Sequence, residues 1–406
     1  MTIELHITLY GMPLGVLSGA SWRTADITFA AEALARWGVN SPVLSVAAPL
    51  ELRPRKGRAE RRRNVLSELL PEGAMRQHLA RMAGVAPSDA PGLLARFGRD
   101  IAGAVQVFDP RAAWEPPPPA LLPVDDDAVA ALLDALALGN DPRLGKTSLA
   151  GVQPKILLAR QDDRWYQAVG GAPTTHIIKP APARGVAALA EEEYGHRLAV
   201  RLGLADHSVN MAKLGGRECL VIERYDRADG RRIHQEDFNQ ALGIAGDQKY
   251  QEYGGLARLT RVAEVLRRYA PHDLGRLAAH VTLAVAMGNL DLHAKNLSLL
   301  HPPDDATILA PAYDMAPLAH VPGIDGRLAM AVGREYALSA ITAHHLEAEI
   351  LTWGGDPAEA RSTLERLAAI VDEEEALPGA ESVRYRIALA VDRLLTDRPI
   401  GDAFLA

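Results

Sequence analysis

Apolar and polar positions alternate loosely over residues 14–27, the two-residue period of strands, while residues 30–37 and 65–69 follow helical spacing. These patterns predict a small mixed α/β domain over residues 1–109. Glu115 is followed by four prolines, Pro116 to Pro119. Proline lacks an N–H donor and locks its backbone angle, so residues 110–124 read as a stiff extended connector. Residues 125–138 predict a helix, with Asp125, Asp126 and Asp127 at the positive end of its dipole. Gly139-Asn140-Asp141-Pro142 supplies the turn chemistry that ends it. Short apolar runs at 156–159, 164–169 and 175–179 predict three strands, and 219–222 a further, buried one. Between them, residues 189–202 predict a helix with Gly203 just past its end. The helical period then takes over at 256–269, 274–287, 344–353, 357–372 and 382–395, interrupted by a short hairpin at 298–300 and 307–309. The organisation expected is an N-terminal domain, the connector, a β-rich unit over residues 125–226 and a helical unit over residues 227–406. No repeat of fixed period is visible.

A chain of 406 residues exceeds the usual size of a single core, which agrees with two or three domains. Its apolar fraction of 48% and charged fraction of 23% are those of an ordinary globular protein. A net charge of −7 excludes a generally basic, nucleic-acid-binding surface, though not a local patch. One patch stands out: seven of the eleven residues from Arg53 to Arg63 are Arg or Lys. The run suits a phosphate backbone or an acidic partner, and equally a solvated loop leading into a helix near Asn64. No aromatic residue interleaves with it, which disfavours single-strand stacking. The lone cysteine, Cys219, excludes an intrachain disulfide and a cysteine-rich metal site. No apolar stretch approaches the roughly 20 residues that span a bilayer, and no secretory pattern opens the chain. A cytoplasmic protein without membrane contact is expected.

Candidate chemistry centres on Gly288-Asn289-Leu290-Asp291-Leu292-His293-Ala294-Lys295-Asn296 and, downstream, Tyr313-Asp314-Met315. Phosphoryl transfer needs an acid near the acceptor hydroxyl and oxygen ligands that hold magnesium against phosphates. Asp291 would be the base, and Asn296 with Asp314 the metal ligands. The apolar run before Asp291 would make these residues emerge from a buried helix end. Lys179, closing a predicted strand, would grip ATP phosphates; otherwise it is a surface lysine before Pro180. Three glutamates open the next helix. They suit the helix dipole, and Glu193 is the expected partner of Lys179. Residues 139–147 resemble a Walker A loop, but five residues rather than four separate its glycines and no strand precedes it. That reading is rejected. Ser148-Leu149-Ala150-Gly151-Val152-Gln153-Pro154-Lys155, running into a strand, is the better phosphate-covering loop. Glu223 and Tyr225, where a buried strand breaks into polar residues, would offer backbone groups to adenine. No histidine pair has the carboxylate surroundings of a metal site.

These stretches have a familiar order. Gly98-Arg99-Asp100 and Gly103-Ala104-Val105 precede the Ser148 to Lys155 loop, Thr174 to Lys179 and Glu193-Tyr194. Glu223 to Arg227, Gln235 to Phe238, Asp291 to Asn296 and Tyr313-Asp314 follow. In that order the chain resembles the HipA family, the serine/threonine-kinase toxins of HipBA toxin–antitoxin modules. The resemblance implies an α+β fold: a protein-kinase-like pair of lobes, one β-rich and one helical, behind a small mixed N-terminal subdomain. It implies Asp291 as catalytic base, Asn296 and Asp314 on Mg²⁺, and Lys179 on ATP. Ser148, Ala150, Gly151, Val152, Gln153, Lys155, His293 and Lys295 join the ATP contacts, with Glu223 and Tyr225 at the adenine hinge. It also implies Ser148 as an autophosphorylation site whose added charge expels the loop from the ATP site, although Thr147 is adjacent. The implied partners are a HipB-like helix–turn–helix antitoxin, operator DNA chiefly through that antitoxin, and a protein substrate, an aminoacyl-tRNA synthetase, with the glutamyl enzyme foremost. Leu290 and Leu292 depart from the family's smaller or polar residues, and the basic run reads as an enlarged loop. Two other readings compete: a small-molecule kinase of the aminoglycoside or choline type, and a catalytically silent subunit of a repressor complex.

Overall fold

The computed structural model describes residues 2–112, 118–138, 154–304 and 306–405. Three separate clusters of buried apolar side chains organise it. In the N-terminal domain, β1 (Ile3–Leu9), β2 (Met12–Gly19) and β3 (Asp26–Phe29) form an antiparallel meander against α1 (Ala31–Trp37). Next come α2 (Ala59–Ser67), α3 (Gly73–Ala83), α4 (Ala90–Phe97) and β4 (Val105–Phe108), which completes the sheet order β3-β2-β1-β4. Leu5, Ile7 and Leu9 recur every second residue of β1 and share one core with Leu93, Leu94 and Phe97 of α4.

The basic run is not a loop reaching to Asn64. After one 3₁₀ turn at Lys56–Arg58, α2 starts at Ala59. Arg62 is buried, and its guanidinium is held by Asp26 at 2.6 Å and Glu51 at 3.0 Å. Carboxylates from two other parts of the domain compensate the buried charge. Arg53, Arg55, Lys56 and Arg61 stay exposed.

The second unit is a six-stranded antiparallel sheet ordered β5-β7-β6-β8-β10-β9. It comprises β5 (Ala120–Val124), α5 (Asp126–Leu138), β6 (Ile156–Gln161), β7 (Arg164–Val169), β8 (His176–Pro180), α6 (Ala187–Arg201), β9 (Val209–Leu214) and β10 (Arg217–Glu223). β5 lies within the stretch expected as connector. It occupies the sheet edge, where Pro123 costs no ladder hydrogen bond. Ile156, Leu158, Ile178, Cys219 and Val221 pack with Val129 and Leu133 of α5.

The third unit is mainly helical. A ribbon of β11 (Arg227–Ala228) and β12 (Arg231–Arg232) leads to β13 (His234–Asp237), α7 (Phe238–Leu242), α8 (Leu259–Tyr269) and α9 (Leu274–Ala286). The predicted hairpin is β14 (Ser298–His301) with β15 (Ile308–Leu309), and β13 pairs on its other edge. A second hairpin, β16 (Arg327–Val332) and β17 (Glu335–Ala337), precedes α10 (Ala343–Thr352), α11 (Ala358–Glu373) and α12 (Glu381–Leu395).

The N-terminal domain docks on both other units through buried polar groups. Asp100 takes Arg232 at 2.6 Å, Arg227 at 3.2 Å and the Thr174 hydroxyl at 2.9 Å. Asp226 holds Arg224 at 2.7 Å and Arg227 at 2.8 Å, and accepts the Gly103 N–H at 2.7 Å. Gly98 to Asp100 and Glu223 to Arg227 therefore meet across one interface. Burial alone would raise the Asp226 carboxyl; Arg224 and Arg227 outweigh it and hold the group well below the usual range.

A third contact makes docking pH-dependent. The His234 Nε2–H donates to the Leu44 carbonyl at 2.8 Å, its ring stacks on His301, and its Nδ1 is buried without a hydrogen-bond partner among the described residues. Burial, helped by His301, lowers the His234 pKa from 6.5 to about 3. A depressed histidine leaves the folded form unprotonated while the unfolded chain takes up a proton below about 6.5, so stability falls with pH from there down to the folded value. At pH 5 the loss from this group alone is about 2 kcal/mol. Denaturant titrations at pH 7 and pH 5 should show it, and His234→Gln should flatten the difference.

Candidate active site

α9 is buried along nearly all of Leu277 to Ala286, so its C-terminal end is held rigidly in the large unit's core. Gly288 then turns the chain with φ +70°, a conformation that L side chains avoid. A Cβ there would also lie 2.8 Å from the Phe404 ring and 2.9 Å from Ala319. The turn releases the polar run into the cleft. Asn289 ties two strands of the site together: its Oδ1 accepts the Asp291 N–H at 3.0 Å, and its Nδ2 donates to the Asp314 carbonyl at 3.3 Å. Asn296, closing the 3₁₀ turn Ala294–Asn296, donates from Nδ2 to the Asp291 carbonyl at 2.8 Å. The loop is thus held by the Asn289 and Asn296 side chains on the backbone of Asp291, and the Asp291 side chain, 44% exposed, can face a reactant.

Lys179 near the end of β8 reaches across to the other lobe. Its Nζ lies 2.6 Å from Glu192 Oε1 on α6 and 2.8 Å from Asp314 Oδ1. The expected partner, Glu193, is not the one used. It faces away and pairs with Arg197 at 3.0 Å, one helical turn on. Three adjacent glutamates point about 100° apart on a helix. Glu191 and Glu192 are both buried, but Glu191 turns to His320 at 2.9 Å and only Glu192 meets Lys179. The Glu193–Arg197 spacing of four was the available signal, since such pairs sit on solvent-facing helix surfaces. Glycine at 195 allows α6 to approach Asp314: a Cβ there would stand 2.1 Å from the Met315 carbonyl oxygen. Asp314 itself is left-handed, with φ +55°, a strained conformation of the kind that concentrates at functional sites.

The electrostatics divide the cleft. Lys179, opposed by burial but flanked by Asp314 and Glu192, is held above the usual lysine range. Lys155 immediately precedes β6, whose Ile156 pairs with Ile178, the neighbour of Lys179; burial and the Lys179 charge lower it to about 8. Asp314 is lowered to about 2, chiefly by Lys179. Glu192 shifts the other way, because burial and the Asp314 charge outweigh its lysine. Asp291 is raised to about 6 by burial and by the charge of Asp314. The Tyr250 hydroxyl, at 3.5 Å from Asp291 Oδ1, was not foreseen from sequence and has no motif to announce it. His293 is buried edge-on to Tyr250, and burial lowers it to about 3, so it stands beside Asp291 as a neutral ring.

Lys295, expected on ATP, is instead committed elsewhere. Its ammonium is buried against Glu68 at 2.8 Å, Glu72 at 2.9 Å and Asp237 at 3.8 Å. Three carboxylates, two of them from the N-terminal domain, hold the charge that the motif alone assigns to phosphate. Glu223 ends β10 with an exposed side chain that accepts from the Ser208 N–H and hydroxyl. The Tyr225 ring lies between His207 and Tyr313, 5.5 Å from each. Ser148, Ala150, Gly151, Val152 and Gln153 lie outside the described residues, as does Thr147.

Among the described residues no group of three or more His, Cys, Asp and Glu side chains is set to hold a metal. Magnesium does not need one, since it is commonly bound by one or two carboxylates together with substrate phosphates. Asn296 and the Asp314 carboxylate offer the hard oxygen donors such an ion takes.

A β-rich lobe with a lysine–glutamate pair, above a helical lobe presenting Asp291, Asn296 and Asp314, defines a protein-kinase-like fold behind an N-terminal domain. Comparison gives the particular family. The HipA-like C-terminal domain matches residues 147–374, and the HipA N-terminal domain matches residues 5–108. The protein Y4mE of Sinorhizobium fredii is 35% identical over 338 residues, 79% of each chain. The serine/threonine-protein kinase toxin HipA of Shewanella oneidensis is 29% identical over 383 residues, 86% of this chain and 82% of that one. A solved complex of Shewanella oneidensis HipA with HipB and operator DNA superimposes with a TM-score of 0.78 at 23% identity, covering 97% of this chain and 96% of its own. The chain belongs to the HipA family. Among the described residues no helix is long and apolar enough to cross a membrane.

Proposed function

We propose that this chain is an ATP- and magnesium-dependent serine/threonine protein kinase that acts as a HipA-type toxin. The observation that carries the reading is the Lys179 ammonium bridging Glu192 and Asp314, with Asp291 close enough to Asp314 to feel its charge. That arrangement joins a phosphate-binding cation, a metal-binding carboxylate and a proton acceptor in one cleft. Lys179 and Lys155 lower the cost of bringing triphosphate charge into it. Asp291 orients the acceptor hydroxyl and takes its proton as the new O–P bond forms and the bond to the departing diphosphate breaks, the electron pair leaving with ADP. Asn296 and Asp314 would hold magnesium, which would neutralise phosphate charge when bound. Glu223 and Tyr225 offer the adenine hinge, and His293 keeps a neutral wall beside the base.

The loop at 148–155 would cover the phosphates and carry the autophosphorylated Ser148, whose charge of about −1.5 to −2 is incompatible with a place over ATP. The Shewanella complex motivates a HipB-like antitoxin as partner, with operator DNA reached chiefly through it. The family resemblance makes an aminoacyl-tRNA synthetase, the glutamyl enzyme first, the acceptor class, and translation arrest the consequence. Intact-mass spectrometry after incubation with Mg-ATP tests the chemistry. One added phosphate mapping to Ser148 is expected. A folded protein that gains no phosphate and whose melting temperature does not respond to Mg-ATP would overturn the reading in favour of a silent subunit.

A further inference from the structure

The loop that carries Asp291 and Asn296 is gripped from outside the two lobes. Glu68, just past the end of α2, and Glu72, just before α3, extend from the N-terminal domain into the large lobe. Besides the Lys295 ammonium, Glu68 takes the Asn239 amide at 3.2 Å and the Gly246 N–H at 3.0 Å. Glu72 also holds Lys249 at 2.7 Å. Both lysines lie beside the chemistry. Lys295 immediately precedes Asn296 in the 3₁₀ turn, and its carbonyl accepts the Tyr313 hydroxyl at 2.7 Å, next to Asp314. Lys249 precedes Tyr250, whose ring lies 5.0 Å from its ammonium and whose hydroxyl points at Asp291. Asp237 and Arg76 complete the charges facing the two acids.

Gluing domains together would not require this placement. The Asp100–Asp226 cluster already does so at the hinge, away from Asp291. The Glu68–Glu72 pair instead holds Lys295, within the loop, and Lys249, next to the tyrosine whose hydroxyl faces Asp291. Buried ion pairs contribute little net stability but fix geometry where their partners are held on several sides.

We propose that Glu68 and Glu72 are positioning residues of the kinase: through Lys295 and Lys249 the docked N-terminal domain sets the loop bearing Asp291 and Asn296, so phosphate transfer depends on that docking. The inference rests on the kinase reading above. It makes the N-terminal domain part of the catalytic machinery, acting without touching ATP or acceptor.

The test uses the full chain and compares wild type, Glu72→Gln and Glu72→Asp for ATP turnover, phosphate incorporation and thermal melting. Glu72 is the acid to change because its side chain is 22% exposed and its neutral isostere leaves Lys295 with Glu68. Expected for Glu72→Gln is a kcat about 10–100-fold lower, the size of effect seen when groups that orient a site's ligands are removed. KM for ATP should stay at the wild-type value, because the variant alters geometry and not ATP contacts. Glu72→Asp, which keeps the charge on a shorter arm, should recover part of kcat and remains informative if the glutamine variant does not fold. Active wild type matched in kcat by a folded Glu72→Gln overturns this inference and leaves the kinase reading intact. A loss of kcat that disappears on cooling in step with recovered folding overturns it too, since that is the mark of glue. Wild type without turnover overturns both.

Discussion

Asp291→Ala is expected to lower phosphate transfer by about 10²–10⁴-fold, the range a positioned general base supplies, without unfolding the protein. The loop does not depend on this side chain. Its backbone is held by Asn289 and Asn296, and the carboxylate is half-exposed with only long contacts, from Tyr250 at 3.5 Å and His293 at 3.8 Å. Burial and the Asp314 charge push its pKa up to about 6. A carboxylate raised in the folded state favours the proton there, so its ionised form at neutral pH works against folding. Removing it should therefore leave the melting temperature unchanged or slightly higher while activity collapses, the trade-off expected of a site residue. Phosphate incorporation and thermal melting on the same sample check both halves. A variant that keeps more than about a tenth of wild-type transfer would remove Asp291 from the role of base, given the magnitude above.

Lys179→Met is expected to abolish transfer and also to destabilise, by about 3 kcal/mol. That is the lower end of the range for breaking a buried pair, because the Asp314 side chain is partly exposed. The substitution leaves Asp314 and Glu192 facing each other with their shared cation gone. Glu192, already raised by burial, would respond by taking a proton. In the wild type Asp314 is depressed to about 2, so its stabilisation is present above the usual carboxylate range and is lost as pH falls from about 4 toward 2. The Lys179 contribution has the opposite sense: present below the ordinary lysine pKa and lost at more alkaline pH. The variant should lack both limbs in a pH–stability profile. Pairing Lys179→Met with Glu192→Gln should give less than additive losses, because the two groups share one interaction. Glu193→Gln, which touches only Arg197, should cost within about 1 kcal/mol and spare activity. Equal damage from both glutamine variants would restore Glu193 as the lysine's partner.

The contrast between these two glutamates shows where sequence reading stops. Helical period placed α6 to within two residues, and the acids at its start were visible. Which acid reaches Lys179 depends on the rotation of the helix against β8 and the Asp314 loop, and Gly195 permits that contact without any periodic mark. Arg62 is a second case. In a run of basic residues each looks solvated, and only Asp26, at the start of β3, and Glu51, in the segment after α1, make one of them a buried ion pair. The strands β1, β4, β5 and β9 went unassigned: β4, β5 and β9 are sheet edges with weak alternation, and β5 follows four prolines, whereas the alternation of Leu5, Ile7 and Leu9 in β1 was there to be read.

From sequence alone came the elements with strong local signals: the long helices of the large lobe, the strands around Lys179 and Cys219, and the hairpin after Asn296. The candidates for phosphoryl transfer, Asp291, Asn296, Asp314 and Lys179, were also named there, because that chemistry restricts the choice to few side chains. Tertiary structure alone decided which partner each charge took. Lys179 chose Glu192 over Glu193, and Lys295 went to Glu68, Glu72 and Asp237 instead of to the cleft. The physical reason is range. Periodicity and capping act over a few residues, whereas the pairing of a buried charge is set by whichever opposite charge folding brings within about 3 Å, here from as far as 227 positions along the chain.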